Sequence, residues 1–197
     1  MIDSAEDVGI LRALLASSTD ATAAMREALD FCKSKYGVQD VERLYELPFE
    51  KETDELKEWV QTVLRSEPPP DSIEAYYFGL FDSVGNDRAV VPCLYISGSE
   101  VFDENERSQD WACAPAYFPK RRYVTSEVLT ALERTARSSK EHEIELSYFL
   151  QLGFVGVAVS NVMQGLPRGL TLGNRISRGL AAGFDEGDLF LLPAIKR

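Results

Sequence analysis

The stretch PPPDSIEAYYFGLF, residues 68–81, separates two parts of the chain with different patterns. Three consecutive prolines cannot continue a helix and favour a stiff, extended connector. The aromatic residues that follow predict a strand, and a second strand is predicted over residues 89–96 after a polar turn. We therefore expect an acidic helical region, residues 1–67, and an α+β region, residues 71–197, that together form one compact domain.

Helices are predicted on both sides of this first hairpin. Apolar residues at three- and four-residue intervals predict an amphipathic helix over residues 49–65. Capping residues predict further helices, one that ends at Gly37 and one that begins after Thr125 or Ser126. Residues 180–192 predict a terminal hairpin around a glycine turn. The order of helices, hairpin, helices and hairpin predicts an α+β fold, a helical N-terminal region followed by an antiparallel sheet with packed helices.

One segment is apolar enough to be compared with a membrane span. LSYFLQLGFVGVAVSNVM, residues 146–163, contains no charged residue. It is short for a span, and it contains polar residues that include Ser147, Gln151 and Asn161. Three glutamates crowd one end, and no basic flank lies close to the other. The pattern predicts a buried central helix, and we expect no interaction with a membrane.

The charge of the chain is strongly negative and unevenly spread. The formal net charge is -11, and residues 1–75 hold 17 Asp and Glu against 8 Lys and Arg. With a sequence pI of about 4.6, the chain lacks the basic footprint that nucleic acids and anionic lipid surfaces require. The charge favours a basic protein as partner. The alternative interpretation is that the acids only keep the protein soluble.

Residues for the common kinds of catalysis are missing from the sequence. The one histidine, His142, lies in a charged helix start, and there is no GxSxG motif and no glycine-rich phosphate loop. Cys32, Cys93 and Cys113 form no CxxC pair and predict reduced thiols rather than a zinc site. We therefore expect no catalytic residues, no metal and no cofactor. The acidic N-terminus lacks the pattern of a signal peptide, which predicts a cytoplasmic protein.

Three groups of acidic residues are candidates for binding a partner, and each has an ordinary alternative. One is a stripe along the helix of residues 49–65, with the solvated helix face as its alternative. Another is an acidic loop that ends in a tryptophan, which is equally consistent with a loop around a core tryptophan. The third is the turn of the terminal hairpin, which is also typical of hairpin turns in general. The helix stripe consists of Glu50, Asp54 and Glu58. The acidic loop contributes Glu100, Asp103, Glu104, Glu106, Asp110 and Trp111. The hairpin turn contributes Asp185, Glu186 and Asp188.

The second half of the chain resembles small cytosolic immunity proteins of bacterial polymorphic toxin systems. The resemblance covers residues 73–192 and rests on the aromatic strand pair (76–81 and 90–96), Asp110-Trp111 followed by Pro115, the apolar helix, and GFDEGDLFLL at residues 183–192. It implies that the protein binds a cognate toxin and blocks its active site or its access to substrate. The acid excess fits this independently, because many toxins that attack nucleic acids are basic.

Two other classes of function stay open at this point. Asp185, Glu186 and Asp188 could hold a magnesium or calcium ion, since such hard cations take oxygen ligands, and the chain would then be a metal-dependent enzyme. Their spacing lacks the pattern of an EF-hand loop, so a plain turn is the better interpretation. The chain could also be an adaptor or structural domain that docks through its helical region.

Overall fold

The structure is a computed structural model and describes residues 5–17, 20–38, 41–84, 90–104, 110–185, 187 and 189–197. In these residues the chain forms seven α-helices, five strands and two short 3-10 helices. The α-helices are α1 (Ala5–Ser17), α2 (Ala21–Tyr36), α3 (Val41–Tyr45), α4 (Phe49–Ser66), α5 (Glu127–Ser138), α6 (Glu143–Gly165) and α7 (Arg168–Leu172). The strands are β1 (Ala75–Val84), β2 (Val90–Ser99), β3 (Tyr123–Thr125), β4 (Ser177–Phe184) and β5 (Leu189–Lys196). The predicted α+β class is confirmed.

The five strands form one mixed sheet in the order β3-β2-β1-β4-β5. Both predicted hairpins are present as antiparallel pairs, β1 with β2 and β4 with β5. The central pair is different, because β1 and β4 run parallel with Tyr77 opposite Ala181. The expectation of a purely antiparallel sheet is wrong at this pair. A parallel neighbour needs a long crossover, and helices α5 to α7 supply it between the two hairpins.

Helix α6 lies at the centre of the molecule. It packs against α1, α2, α4 and α5 and against strands β4 and β5. Fifteen of its 23 residues are buried, and Phe149 and Phe154 are completely enclosed. The helix is long and apolar enough to cross a membrane by length and composition, but 83% of its apolar window is buried inside the protein. That burial is typical of a core helix, so the prediction of a buried central helix is confirmed.

The helix ends form where capping residues predict them. Asp20 precedes α2, and its carboxylate accepts a hydrogen bond from the backbone N–H of Ala23 at 2.6 Å. Gly37 closes α2 in the left-handed conformation, with φ of 61°, which glycine adopts without strain. Ser126 caps α5, since its hydroxyl accepts a hydrogen bond from the N–H of Leu129 at 3.0 Å. These local contacts fix the ends of helices that then pack through their apolar faces.

The triproline connector is held against the sheet by a buried arginine. Arg178 of β4 is 1% exposed, and its guanidinium donates to the carbonyl oxygens of Pro70 and Thr171, both at 3.0 Å. It also donates to the hydroxyl of Tyr76 at 2.5 Å. The connector, the sheet and α7 therefore share one set of hydrogen bonds. This places the helical region against the sheet face that carries Tyr76, Phe78 and Leu80, which we call the inner face.

Candidate protein-binding surface around Asp185

The opposite face of the sheet, the outer face, has its own aromatic cluster. Side chains alternate between the two faces of a strand, so β1 directs Tyr76 and Phe78 inward and Tyr77 and Phe81 outward. Tyr95 of β2 and Tyr123 of β3 join the outer cluster, with ring centroids 6.2 Å apart. Small residues of the two central strands leave room above the sheet. They are Gly79 on β1 and Gly179 and Ala181 on β4.

Residues 100–104 and 110–118, which we call the cover segment, lie over part of this face. Phe102 and Trp111 fix the segment to the sheet, with their rings edge to face and 5.2 Å between centroids. Phe102 reaches the sheet because Gly179 has no side chain, and a Cβ there would lie 2.6 Å from the Phe102 ring. Trp111 is only 5% exposed. The ring anchors the segment from within, as in the alternative of a loop around a core tryptophan, and a contact between Trp111 and a partner stays a prediction.

A pocket of about 250 Å³ opens between the cover segment and the end of β4, and we call it the outer-face pocket. Two neighbouring concavities, of about 110 Å³ and 500 Å³, also include Asp185 in their walls. Asp185 thus lies where three depressions of the surface meet. The outer-face pocket is lined by Tyr77, Tyr95, Ala112, Cys113, Pro115, Phe118, Phe184, Asp185, Gly187 and Leu189.

Hydrogen bonds hold the polar groups of the outer-face pocket in place. The backbone N–H of Asp185 donates to the carbonyl oxygen of Leu80 at 2.8 Å, which extends the parallel pairing by one residue. The Asp185 carboxylate accepts a hydrogen bond from the hydroxyl of Tyr95. The hydroxyl of Tyr77 donates to the carbonyl oxygen of Phe184 at 2.9 Å. The sheet therefore fixes the position of the Asp185 carboxylate, although the residue is exposed to solvent.

Tyr77 and Tyr95 remain protonated at neutral pH in this environment. Burial raises the pKa of Tyr95 well above its usual range, and the hydrogen bond to Asp185 raises it further. Burial likewise raises the pKa of Tyr77, with a second contribution from the negative charge of Asp185. Both hydroxyls are consequently donors at neutral pH, and neither supplies a negative charge. Among the described residues that line the pocket, Asp185 is the one that carries a charged side chain.

Five of the acidic residues predicted in the loop and the hairpin turn are described and exposed. Asp185 at the pocket is exposed. Four residues of the cover segment are exposed as well, namely Glu100, Asp103, Glu104 and Asp110. Glu106, Glu186 and Asp188 lie outside the described residues. The structure thus places Asp185 of the hairpin turn in the same pocket as Ala112, Cys113 and Pro115, which directly follow Asp110 and Trp111 of the acidic loop.

The third group lies elsewhere. Glu50, Asp54 and Glu58 are exposed on α4, which packs on α6 in the helical layer, away from the outer face. Glu50 accepts a hydrogen bond from the N–H of Thr22 at 3.0 Å, so it satisfies a backbone donor at the start of α2. On the same helix Lys51 forms an ion pair with Glu55 at 3.2 Å. This stripe forms a separate surface from the outer-face pocket.

Sequence reasoning missed the exposed apolar residues on the outer face. Phe118, Tyr123 and Leu191 are 47%, 50% and 39% exposed. The Arg122 guanidinium stacks on two of these rings, 3.7 Å from the centroid of Phe118 and 4.4 Å from that of Tyr123. Tyr77 and Phe81 of β1 were a signal for this face, since residues separated by an even number of positions along a strand lie on the same face of the sheet.

The described residues show no arrangement for metal chemistry. In the part of the chain that the structure describes, no three His, Cys, Asp or Glu side chains lie close enough to hold a metal ion. His142 packs against the ring of Tyr36, with centroids 5.0 Å apart. Because Glu186 and Asp188 lie outside the described residues, a metal site at the terminal hairpin stays an untested prediction.

Comparison with known protein families, characterised proteins and solved structures found no match to this chain. What the protein does must therefore be inferred from its own surface and charge.

Proposed function

We propose that this protein is an immunity protein that binds a cognate, basic toxin and blocks its active site or its access to substrate. The observation that carries the proposal is the outer face, where an aromatic pocket contains the exposed Asp185 and is partly covered by a segment with exposed acids. Tight protein interfaces combine aromatic anchors at the centre with a polar, charged rim. The outer face has both parts, and its acids match the charge that a basic partner would present.

The charge of the whole molecule supports the same proposal. A net charge of -11 attracts a basic protein over several ångströms and speeds the encounter, more strongly at low salt than at high salt. An inhibitor of a nucleic-acid-cleaving toxin gains from this, because it competes with a negatively charged substrate for the same basic surface. Stoichiometric binding of this kind requires no catalytic residues in the inhibitor.

The first test is protection of a bacterial host against a toxin encoded beside the gene. The wild-type protein should restore growth and form a stable complex with the toxin on a sizing column. The double substitution Glu100→Lys with Asp110→Lys places two positive charges on the cover segment and should weaken binding by about tenfold or more. A matched control, Asp54→Lys with Glu58→Lys, makes the same change of net charge on α4 and should retain protection.

The outcomes of this test separate the two surfaces. Loss of protection only in the α4 variant would move the contact to the helical stripe. Failure of the wild-type protein both to protect and to form a complex with any toxin from its neighbourhood would reject the immunity function.

A thiol probe reports whether the partner covers the outer-face pocket. Cys113 is exposed at the pocket, whereas Cys32 and Cys93 are buried. Burial raises the pKa of the Cys32 thiol to about 12 and also raises that of Cys93, which makes both thiols poor nucleophiles. N-ethylmaleimide should therefore modify Cys113 first. Addition of the toxin should slow this reaction, and an unchanged rate in the complex would place the contact on another face.

A further inference from the structure

We propose that the outer-face pocket receives a single lysine or arginine side chain of the basic partner. The inference deepens the function proposed above and rests on it, because it names the group that the pocket recognises. It follows from the shape of the pocket, from its charge and from a cation that already lies on the neighbouring rings.

The pocket walls are aromatic and stand at steep angles to one another. Tyr95 lies between Tyr77 and Phe118, with centroid distances of 5.9 Å and 6.1 Å and interplanar angles of 77° and 80°. Ring faces attract cations through their quadrupole, and the attraction grows when the cation loses its water. A cavity of ~150 Å³ admits a benzene molecule. The outer-face pocket, at about 250 Å³, therefore has room for the end of one long side chain.

The charge of the pocket selects a cation over an apolar group. Asp185 forms no ion pair with any residue in the described part of the chain, and its side-chain hydrogen bond from Tyr95 engages a single carboxylate oxygen. No described residue donates to the other oxygen, which can therefore accept a hydrogen bond from a partner. An apolar side chain in the same position would remove the carboxylate from water without replacing its hydrogen bonds, which is unfavourable. A lysine or arginine would supply those hydrogen bonds and neutralise the charge.

The aromatic patch already holds one guanidinium group. Arg122 stacks on Phe118 and Tyr123, and Phe118 is also a wall of the outer-face pocket. The Arg122 guanidinium donates to the carbonyl oxygen of Pro119 at 3.0 Å, which holds it close to its own stretch of backbone. The rings of this patch are thus arranged to accept a cation, and Asp185 offers a second position beside them.

The test uses small molecules that carry only the end of the side chain. n-Butylammonium and propylguanidinium represent lysine and arginine, and 1-butanol is the uncharged control. Each is titrated into the ¹⁵N-labelled full-length protein at constant ionic strength, and amide chemical shifts are followed by NMR. We expect shifts at Tyr95, Cys113, Asp185 and Leu189 with the two cations, at concentrations on the order of millimolar, and not with butanol.

Substitutions decide whether the carboxylate is responsible. Asp185→Asn keeps the shape of the side chain and should weaken binding of both cations about tenfold. Tyr95→Phe keeps the ring but removes the hydroxyl that positions Asp185, and it should weaken binding to a smaller extent. Asp54→Asn removes the same charge from α4 and should leave binding unchanged. The spectra themselves report whether each variant is folded.

Several results would overturn the inference. They are the absence of shifts at the pocket with either cation, equal shifts with butanol, or equal binding by the wild-type protein and Asp185→Asn. These failures differ from a failure of the immunity function. If the pocket does not bind the cations while the wild-type protein still protects cells, only the proposal that the pocket receives a basic side chain is rejected. If the pocket binds them while no toxin complex forms, the cation site stands and the immunity function is rejected.

Discussion

Arg178 is a buried cation whose hydrogen-bond acceptors, among the described residues, are all neutral oxygen atoms. Its guanidinium connects the carbonyl oxygens of Pro70 and Thr171 with the hydroxyl of Tyr76. Replacing it in Arg178→Met keeps much of the apolar stem but leaves three acceptors, two of them buried, without this donor. Because each hydrogen bond to a charged group contributes about 1.5–3 kcal/mol, we expect the free energy of unfolding to fall by about 3 kcal/mol or more, measured by urea denaturation.

Arg175 provides the matched control for this change. It lies three residues away, pairs with Glu74 at 3.1 Å and is partly exposed. An ion pair in contact with water contributes about 0–1 kcal/mol, so Arg175→Met should have a small effect. Equal losses in the two variants would show that Arg178 does not hold the connector in the way its contacts indicate.

Gly79 is the residue that allows Tyr95 to lie across the sheet toward Asp185. A Cβ at this position would lie 2.2 Å from the nearest atom of the Tyr95 ring. In Gly79→Ala the ring must therefore move away, and overpacking of this kind costs about 1–3 kcal/mol. We expect a lower urea midpoint and a changed near-UV circular dichroism spectrum.

Gly169→Ala is the control for Gly79→Ala. Gly169 lies in α7, and an added Cβ there meets nothing within 4 Å. Because alanine favours a helix over glycine by about 1 kcal/mol, this variant should be as stable as the wild-type protein or more so. A Gly79→Ala protein with unchanged stability and an unchanged spectrum would contradict the observed position of Tyr95.

At the scale of elements, the two interior glycines of helix α6, Gly153 and Gly156, serve different purposes. A Cβ at Gly153 would meet its nearest neighbour, Leu11, at an ordinary 3.7 Å. A Cβ at Gly156 would lie 2.0 Å from a methyl carbon of Leu15, a buried residue of α1. Gly156 therefore allows α1 to approach α6 closely, whereas Gly153 is only a weak helix former.

The two alanine variants should consequently differ in stability. Gly153→Ala should raise the free energy of unfolding by up to about 1 kcal/mol through helix propensity. In Gly156→Ala the same gain is opposed by the displacement of Leu15, and we expect a net loss of about 1 kcal/mol. Thermal unfolding of the pair gives the comparison directly. If both variants are stabilised equally, α1 does not depend on close contact at Gly156.

The sequence alone predicted those helix ends that depend only on neighbouring residues. Asp20 and Ser126 accept hydrogen bonds from N–H groups three residues ahead, and Gly37 adopts a left-handed conformation, so these ends follow from local chemistry. The parallel pairing of β1 with β4 could not be predicted in the same way. It depends on how the long crossover through α6 packs on the sheet, and strand patterns do not specify which strand is the neighbour.

At the scale of the whole molecule, the candidate surface was predictable only in part. The distribution of acidic residues along the sequence predicted Asp185 and Asp110 as candidates for the surface, because charged side chains are normally exposed. It also suggested Trp111 as a contact residue, although burial of that ring depends on Phe102 and on the missing side chain of Gly179. The Tyr95 hydrogen bond that positions Asp185 joins residues on different hairpins. Contacts of this kind, between residues far apart in the sequence, cannot be predicted from residue spacing.

The buried tyrosines make stability depend on alkaline pH. Burial raises the pKa of Tyr76 to about 12, although Arg178 opposes the shift, and burial also raises the pKa of Tyr77, Tyr95 and Tyr117. In the unfolded chain each tyrosine has a pKa of about 10. Above that pH the unfolded state loses protons that the folded state keeps, so the free energy of unfolding falls as pH rises.

Urea denaturation at a series of pH values, with tyrosinate absorbance at 295 nm, measures this effect. We expect the stabilising contribution of these tyrosines to be complete below pH 10, and the urea midpoint to decrease steadily above it. Tyr117→Phe removes one ionisable group, whose hydroxyl donates to the carbonyl oxygen of Glu67 at 2.6 Å. The variant should be less stable at neutral pH because it lacks this bond, yet its stability should decline less steeply above pH 10. An identical slope in the two proteins would mean that Tyr117 ionises alike in the folded and unfolded states, in conflict with its burial beneath the connector.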